Sequence, residues 1–142
     1  MMAYITTEEV RAIRNELKNQ FPTMKFSVRK NDGLAVTVSI LSGDCDFSDI
    51  EVRNFITGDI VNFSGYMQVN HHHLANYGDH QYLLGEILDV IKTAPANTEG
   101  GRAWYNNSDA MVDYFDTAFY IHMEIGRRNR PYKFVEAKKK AA

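Results

Sequence analysis

The sequence predicts an α+β fold, an antiparallel β-sheet with two main helices packed on one face. Three observations predict it: an amphipathic helical pattern near the start, two alternating apolar runs joined by Asn31-Asp32-Gly33, and a second apolar helical face between Tyr82 and Ile91. No internal repeat and no second core interrupt this series.

Thr6-Thr7-Glu8-Glu9 is a capping box, in which the Thr6 hydroxyl accepts from a helical amide and Glu9 reaches back to the cap. Val10, Ile13, Leu17 and Phe21 recur at helical spacing, and Pro22 ends the pattern. Lys25 to Arg29 alternates, as do Leu34, Val36, Val38 and Ile40, so the two segments read as a hairpin about an Asn-Asp-Gly turn. Its apolar side packs on the first helix, leaving Lys25, Ser27 and Arg29, with Ala35, Thr37 and Ser39, on a polar side for solvent or a partner. Residues 42–46 read as a loop, and 47–62 carry no clean period. Gly65 to His71 reads as a third strand. Tyr82, Leu83, Leu84, Ile87, Leu88 and Ile91 form the second helix, with Asp79 as its cap. Residues 93–108 have loop composition with Trp104 and Tyr105 embedded; Ser108-Asp109 opens a short helix to Phe115, and Ala118 to Ile125 is the last strand.

At 142 residues the chain fits a single domain, read as residues 1–134, followed by a basic, flexible tail at 135–142. With 44% hydrophobic and 24% charged residues it is far from a disordered composition. No apolar run is long enough to span a membrane and the first residues lack a secretory pattern, so a cytoplasmic location and no membrane partner are expected. Cys45, the single cysteine, excludes an intrachain disulfide and a Cys-rich metal site within one chain. The net charge of -2 is unevenly spread: Arg127, Arg128, Arg130, Lys133, Lys138, Lys139 and Lys140 face Glu136 alone, while residues 44–116 are rich in acids.

The candidate chemistry is sparse. His71 and His73 would share a strand face, and with His80 they are weak candidates for a divalent metal, but their spacing fits no zinc pattern; no metal and no cofactor is expected. His122 and Glu124 alternate on the last strand and would point the same way. Asp113 and Asp116 fit one helical face, as a solvated pair more readily than as paired acids. Cys45 between Asp44 and Asp46 is a poor nucleophile, because adjacent carboxylates raise a thiol pKa. Gly100-Gly101-Arg102 belongs to no nucleotide-binding motif. Without a catalytic motif, a non-enzymatic role is expected.

Two binding surfaces follow. Trp104, Tyr105 and Asp109 combine aromatics with an acid in a loop, which suits a protein contact. Lys25 and Arg29 on the hairpin, with Arg127, Arg128 and Arg130 interleaved with aromatics toward Phe134, form the alternative, a nucleic-acid-binding module. The order of the first five elements is also that of a double-stranded-RNA-binding domain, but the lysine-rich start of that domain's second helix is missing at Asp79 to Tyr82.

The stretch from Tyr4 to Val10 through Phe21-Pro22, followed by Lys25 to Arg29, resembles the start of the large polyvalent protein-associated domain 29 family. Asp113 to Asp116, Tyr120 to Gly126 and Arg130-Pro131-Tyr132 resemble its later part. The resemblance covers about the first 40 residues and the last 30 of the folded part. It implies a protein of phages, plasmids or other mobile elements, with no established catalytic set. It implies origin more than chemistry; from class and size, a free-standing chain of this scale is expected to be a small accessory protein in the bacterial host, binding a host or phage protein and, in its most specific form, inhibiting a host defence complex. Self-association into a homo-oligomer is compatible with this reading.

Overall fold

A computed structural model describes residues 4–53, 56–71, 74–98, 101, 104–106, 117–127 and 129–135. The short helix expected at 108–115, the Asp113 and Asp116 pair, Gly100, Arg102 and residues 136–142 of the tail lie outside the described residues.

Helix α1 spans Thr7–Gln20 and starts as its sequence dictates: the Glu9 amide donates to Thr6 Oγ1 at 3.1 Å, and the Thr6 amide donates to Glu9 Oε1 at 3.0 Å. Val10, Ile13 and Leu17 are buried along one face, and the Phe21 amide closes the helix on the Leu17 carbonyl. Strands β1 (Lys25–Asn31) and β2 (Ala35–Gly43) form the expected hairpin and run longer than their apolar alternation. Asp32 and Gly33 both take positive φ, and the Leu34 amide donates to the Asn31 carbonyl, which is the turn whose twist matches paired strands.

The stretch without a clean period holds a small two-stranded sheet, β3 (Glu51–Arg53) antiparallel to β4 (Ile60–Asn62). The third expected strand is shorter than read, β5 at Met67–Val69. A 3-10 turn at Leu74–Tyr77 leads into α2 at His80–Thr93. Asp79 precedes α2 but does not cap it: its backbone is already helical and its side chain accepts no amide, because the preceding turn supplies the Gly78 and Asp79 carbonyls to Gln81 and Tyr82. A second 3-10 turn follows at Ala94–Asn97, and the last strands are β6 (Tyr120–Ile125) and β7 (Lys133–Phe134).

The class is α+β, but the main sheet is mixed rather than antiparallel. Its strands lie in the order β1-β2-β6-β5, with β7 beside the end of β2. β2 runs parallel to both β6 and β7, whereas β1–β2 and β5–β6 are antiparallel. Parallel neighbours need a crossover of about a dozen residues or more, and the chain from Gly43 to Tyr120, carrying α2, supplies it. The strand beside the hairpin is therefore the last one read from the sequence, unlike the order of a double-stranded-RNA-binding domain.

One core holds the layers together. Val28, Val36, Val38, Ile40, Val69, Ile121, Met123 and Ile125 point from the sheet toward Val10, Ile13 and Leu17 of α1 and Leu84, Ile87, Leu88 and Ile91 of α2. Alternation along each strand then fixes what the opposite sheet face presents. Gly126, at φ 74, ends β6 where a Cβ would collide with the Gly65 carbonyl and crowd the Tyr132 amide, so this crossing of loops requires glycine. Among the described residues no helix is long and apolar enough to cross a membrane.

Candidate functional site

The face of the main sheet turned away from the core is built from aligned polar rows. Ser27, Ser39, Glu124 and Gln68 stand side by side across β1, β2, β6 and β5. The next row is Arg29, Thr37 and His122, and the next Asn31, Ala35 and Tyr120. Because side chains alternate, the apolar periodicity that made the core also forced these residues to one surface.

Hydrogen bonds tie the three rows together. Ser39, fully buried, donates from Oγ to Glu124 Oε1 at 2.6 Å, and Arg29 Nη2 donates to the same oxygen at 3.3 Å. Asn31 Nδ2 donates to Thr37 Oγ1 at 2.6 Å. Arg29 Nε is buried and has no acceptor among the described residues. A cleft of about 810 Å³ opens over this network. Its walls carry Gln68, Asn70 and His71 from the β5 side, Tyr120 and His122 from β6, and Trp104 and Asn106 from the loop before β6. The lining mixes one ion pair, amides, imidazoles and aromatic rings, groups that offer hydrogen bonds and ring faces with little net charge.

Of the first expected surface, Trp104 and Tyr105 are described and Asp109 is not. Trp104 is half-buried and anchored: its indole Nε1 donates to the Phe119 carbonyl at 2.6 Å, and Lys92 Nζ lies 4.6 Å from the ring centre. Its ring reaches the cleft wall. Tyr105 packs against the core, and its carbonyl accepts from the Ala118 amide and Thr117 Oγ1. The two aromatics join one edge of the cleft to the core instead of projecting from a free loop.

The basic set is divided. Arg29 is paired with Glu124 in mid-sheet. Lys25 lies opposite Ser42, which also faces Lys133, so it belongs to the same end of the sheet as the tight turn where Arg127 and Arg130 exchange backbone hydrogen bonds. Arg128 lies outside the described residues.

The histidines separate as well. His71 lines the cleft, His73 lies outside the described residues, and His80 sits at the start of α2 with other partners. Its Nε2 is 2.6 Å from Asp49 Oδ1 and its Nδ1 is 3.6 Å from Cys45 Sγ. Its two nitrogens face different groups, and among the described residues no group of three His, Cys, Asp or Glu side chains could hold a metal ion. The Cys45 thiol is pushed above its ordinary 9.0 by its own burial and then by Asp44, Asp49 and Asp46. His122 and Glu124 share the cleft face as their alternation requires.

Sequence reasoning found Arg29 and the polar side of the hairpin but missed Gln68 and the pairing of Ser39 with Glu124. The parallel β2–β6 register brings Ser39 to Glu124 and the antiparallel β5–β6 register brings Gln68 to it, and local spacing carries no signal for either pairing.

A model of a protein family described as large polyvalent protein-associated domain 29 matches residues 4–91. The match contains the resembling stretch from Tyr4 to Arg29 and continues through the middle of the chain, stopping short of the later stretch from Asp113. Neither a curated protein nor a solved structure matches the chain.

Proposed function

Because the chain belongs to the large polyvalent protein-associated domain 29 family, found with phages and other mobile elements, we propose that it is an accessory protein whose polar sheet face binds a host or phage protein. The observation that carries the reading is the pre-organised pair of Ser39 and Glu124, bonded to Arg29 of the next row, under an open cleft. Residues fixed by their own hydrogen bonds lose little freedom on binding, so such a face binds without a large ordering cost. Tyr120, about half exposed beside this row, and Trp104 at the cleft edge supply the aromatic area that anchors protein contacts.

Inhibition of a host defence complex is the specific form of this role that fits the family's setting. An acidic middle segment suits a basic target surface. The second reading, a nucleic-acid module, rests on Lys25, Arg127 and Arg130 at one end of the sheet. Against it, Arg29 is internally neutralised and the chain is acidic overall.

Capture from bacterial lysate with the purified protein, one half treated with nuclease, separates the two. A partner protein retained after nuclease treatment supports the first reading. Recovery of nucleic acid, or loss of every partner on nuclease treatment, supports the second.

A further inference from the structure

Away from the cleft, three elements converge on a thiol. Cys45 follows β2, Asp49 lies in the next loop, and His80 opens α2. Asp49 is held below its ordinary carboxylate range, chiefly by its hydrogen bond to His80, so it is ionised at neutral pH and can only accept. His80 Nε2 must then carry the proton that Asp49 receives, and in the neutral ring the lone pair is left on Nδ1, the nitrogen facing Cys45 Sγ. The tautomer is thus fixed with the base aimed at the nucleophile. Phe47 packs at a tilt of 54° against the imidazole with ring centres 5.1 Å apart, and Tyr132 and Phe63 extend this aromatic wall. Tyr132 also donates its hydroxyl to the Cys45 carbonyl at 2.6 Å, fixing the backbone that carries the thiol. Cys45 is only half-buried and His80 retains 15% of its side-chain surface, so both side chains are partly open to solvent.

We propose that Cys45, His80 and Asp49 form a general-base-activated thiol site that accepts acyl groups from thioesters or activated esters. A nucleophile, a base and a group that orients the base, each within reach of the next, is the arrangement that acyl transfer requires. Cys45 Sγ attacks the acyl carbonyl carbon while its proton passes to His80 Nδ1. The tetrahedral adduct collapses, and the leaving thiol or alcohol departs with that proton, giving an acyl-thioester on Cys45. Water, deprotonated by His80, then attacks the carbonyl and releases the carboxylic acid, while the proton returns to the thiol. Asp49 is a positioning residue in this scheme. The groups around the pair are Asp44, Asp46, Asp49 and Tyr132, and burial first, then the carboxylates, keeps the thiol protonated, which is why it needs a base.

The test is acetylation of the full chain by p-nitrophenyl acetate, followed as nitrophenolate release and by mass spectrometry of the Cys45 peptide, across pH 6 to 10. The expected result is a single acetyl group on Cys45, with half-maximal rate below about pH 8, and a rate at neutral pH about a hundredfold lower in His80→Gln. Asp49→Asn, at an exposed position, removes one of the carboxylates that raise the thiol, so it should slow the reaction and move its profile to lower pH while Cys45 remains the acceptor. A wild-type profile that tracks the thiol's own ionisation above pH 9, or no acetylation of Cys45, overturns the proposal even if His80→Gln fails to fold.

Discussion

Ser39 and Glu124 sit in register on parallel strands, and the serine hydroxyl donates to the carboxylate at 2.6 Å although 85 residues separate them. This bond joins the N-terminal hairpin to the last long strand at the floor of the cleft. Ser39→Ala removes a hydrogen bond to a charged, largely buried acceptor and should cost about 1.5–3 kcal/mol. Urea unfolding checks it; a change below about 0.5 kcal/mol would mean that the carboxylate is satisfied without the serine.

Trp104 closes the cleft edge by donating to the Phe119 carbonyl. Trp104→Phe keeps an aromatic ring and deletes the donor, so an expected loss of about 1 kcal/mol or more, measured by thermal unfolding, isolates that bond. An unchanged midpoint would show that water replaces the indole freely.

The hairpin, both long helices and the capping box were legible because each is written in local periodicity: Val10, Ile13 and Leu17 at helical spacing, Val36, Val38 and Ile40 at strand spacing. The parallel pairing of β2 with β6 was not, because Ile121 and Met123 alternate identically whichever strand they join and in either direction. The same gap hid the sites. Arg29 reads from the sequence as part of a basic strand face because its partner Glu124 lies 95 residues away, and His80 groups with His71 by proximity in sequence although its partners, Cys45 and Asp49, come from before the intervening strands.

Gly126 tests the loop crossing. Its φ of 74 is strained for any other residue, and a Cβ has no room beside the Gly65 carbonyl. Gly126→Ala should destabilise the fold by about 2 kcal/mol or more, read from the denaturant midpoint. A loss under about 0.5 kcal/mol would refute the close approach.

Alkaline pH should unfold the protein through two groups. Burial first, then neighbouring acidic groups, holds both the Cys45 thiol and the Tyr132 phenol protonated beyond their ordinary 9.0 and 10.0. Their folded pKa values lie above the unfolded ones, so the stability they contribute is whole below about pH 9 and is lost as pH rises. Between about pH 8 and 11 the wild type should lose stability more steeply than the Cys45→Ser, Tyr132→Phe double variant, as measured by urea unfolding at each pH. Parallel declines would contradict this assignment.

Binding at the polar sheet face is tested most directly by comparing a partner's affinity for three proteins: the wild type, a Tyr120→Ala, His122→Ala double variant on that face, and Tyr82→Ala on the exposed side of α2. Tyr120 and His122 are exposed, so the fold should tolerate both changes. The expected result, by isothermal calorimetry with the nuclease-resistant partner, is a loss of about tenfold or more for the double variant and less than about twofold for Tyr82→Ala. Undiminished affinity in the double variant would place the binding surface elsewhere and contradict the account.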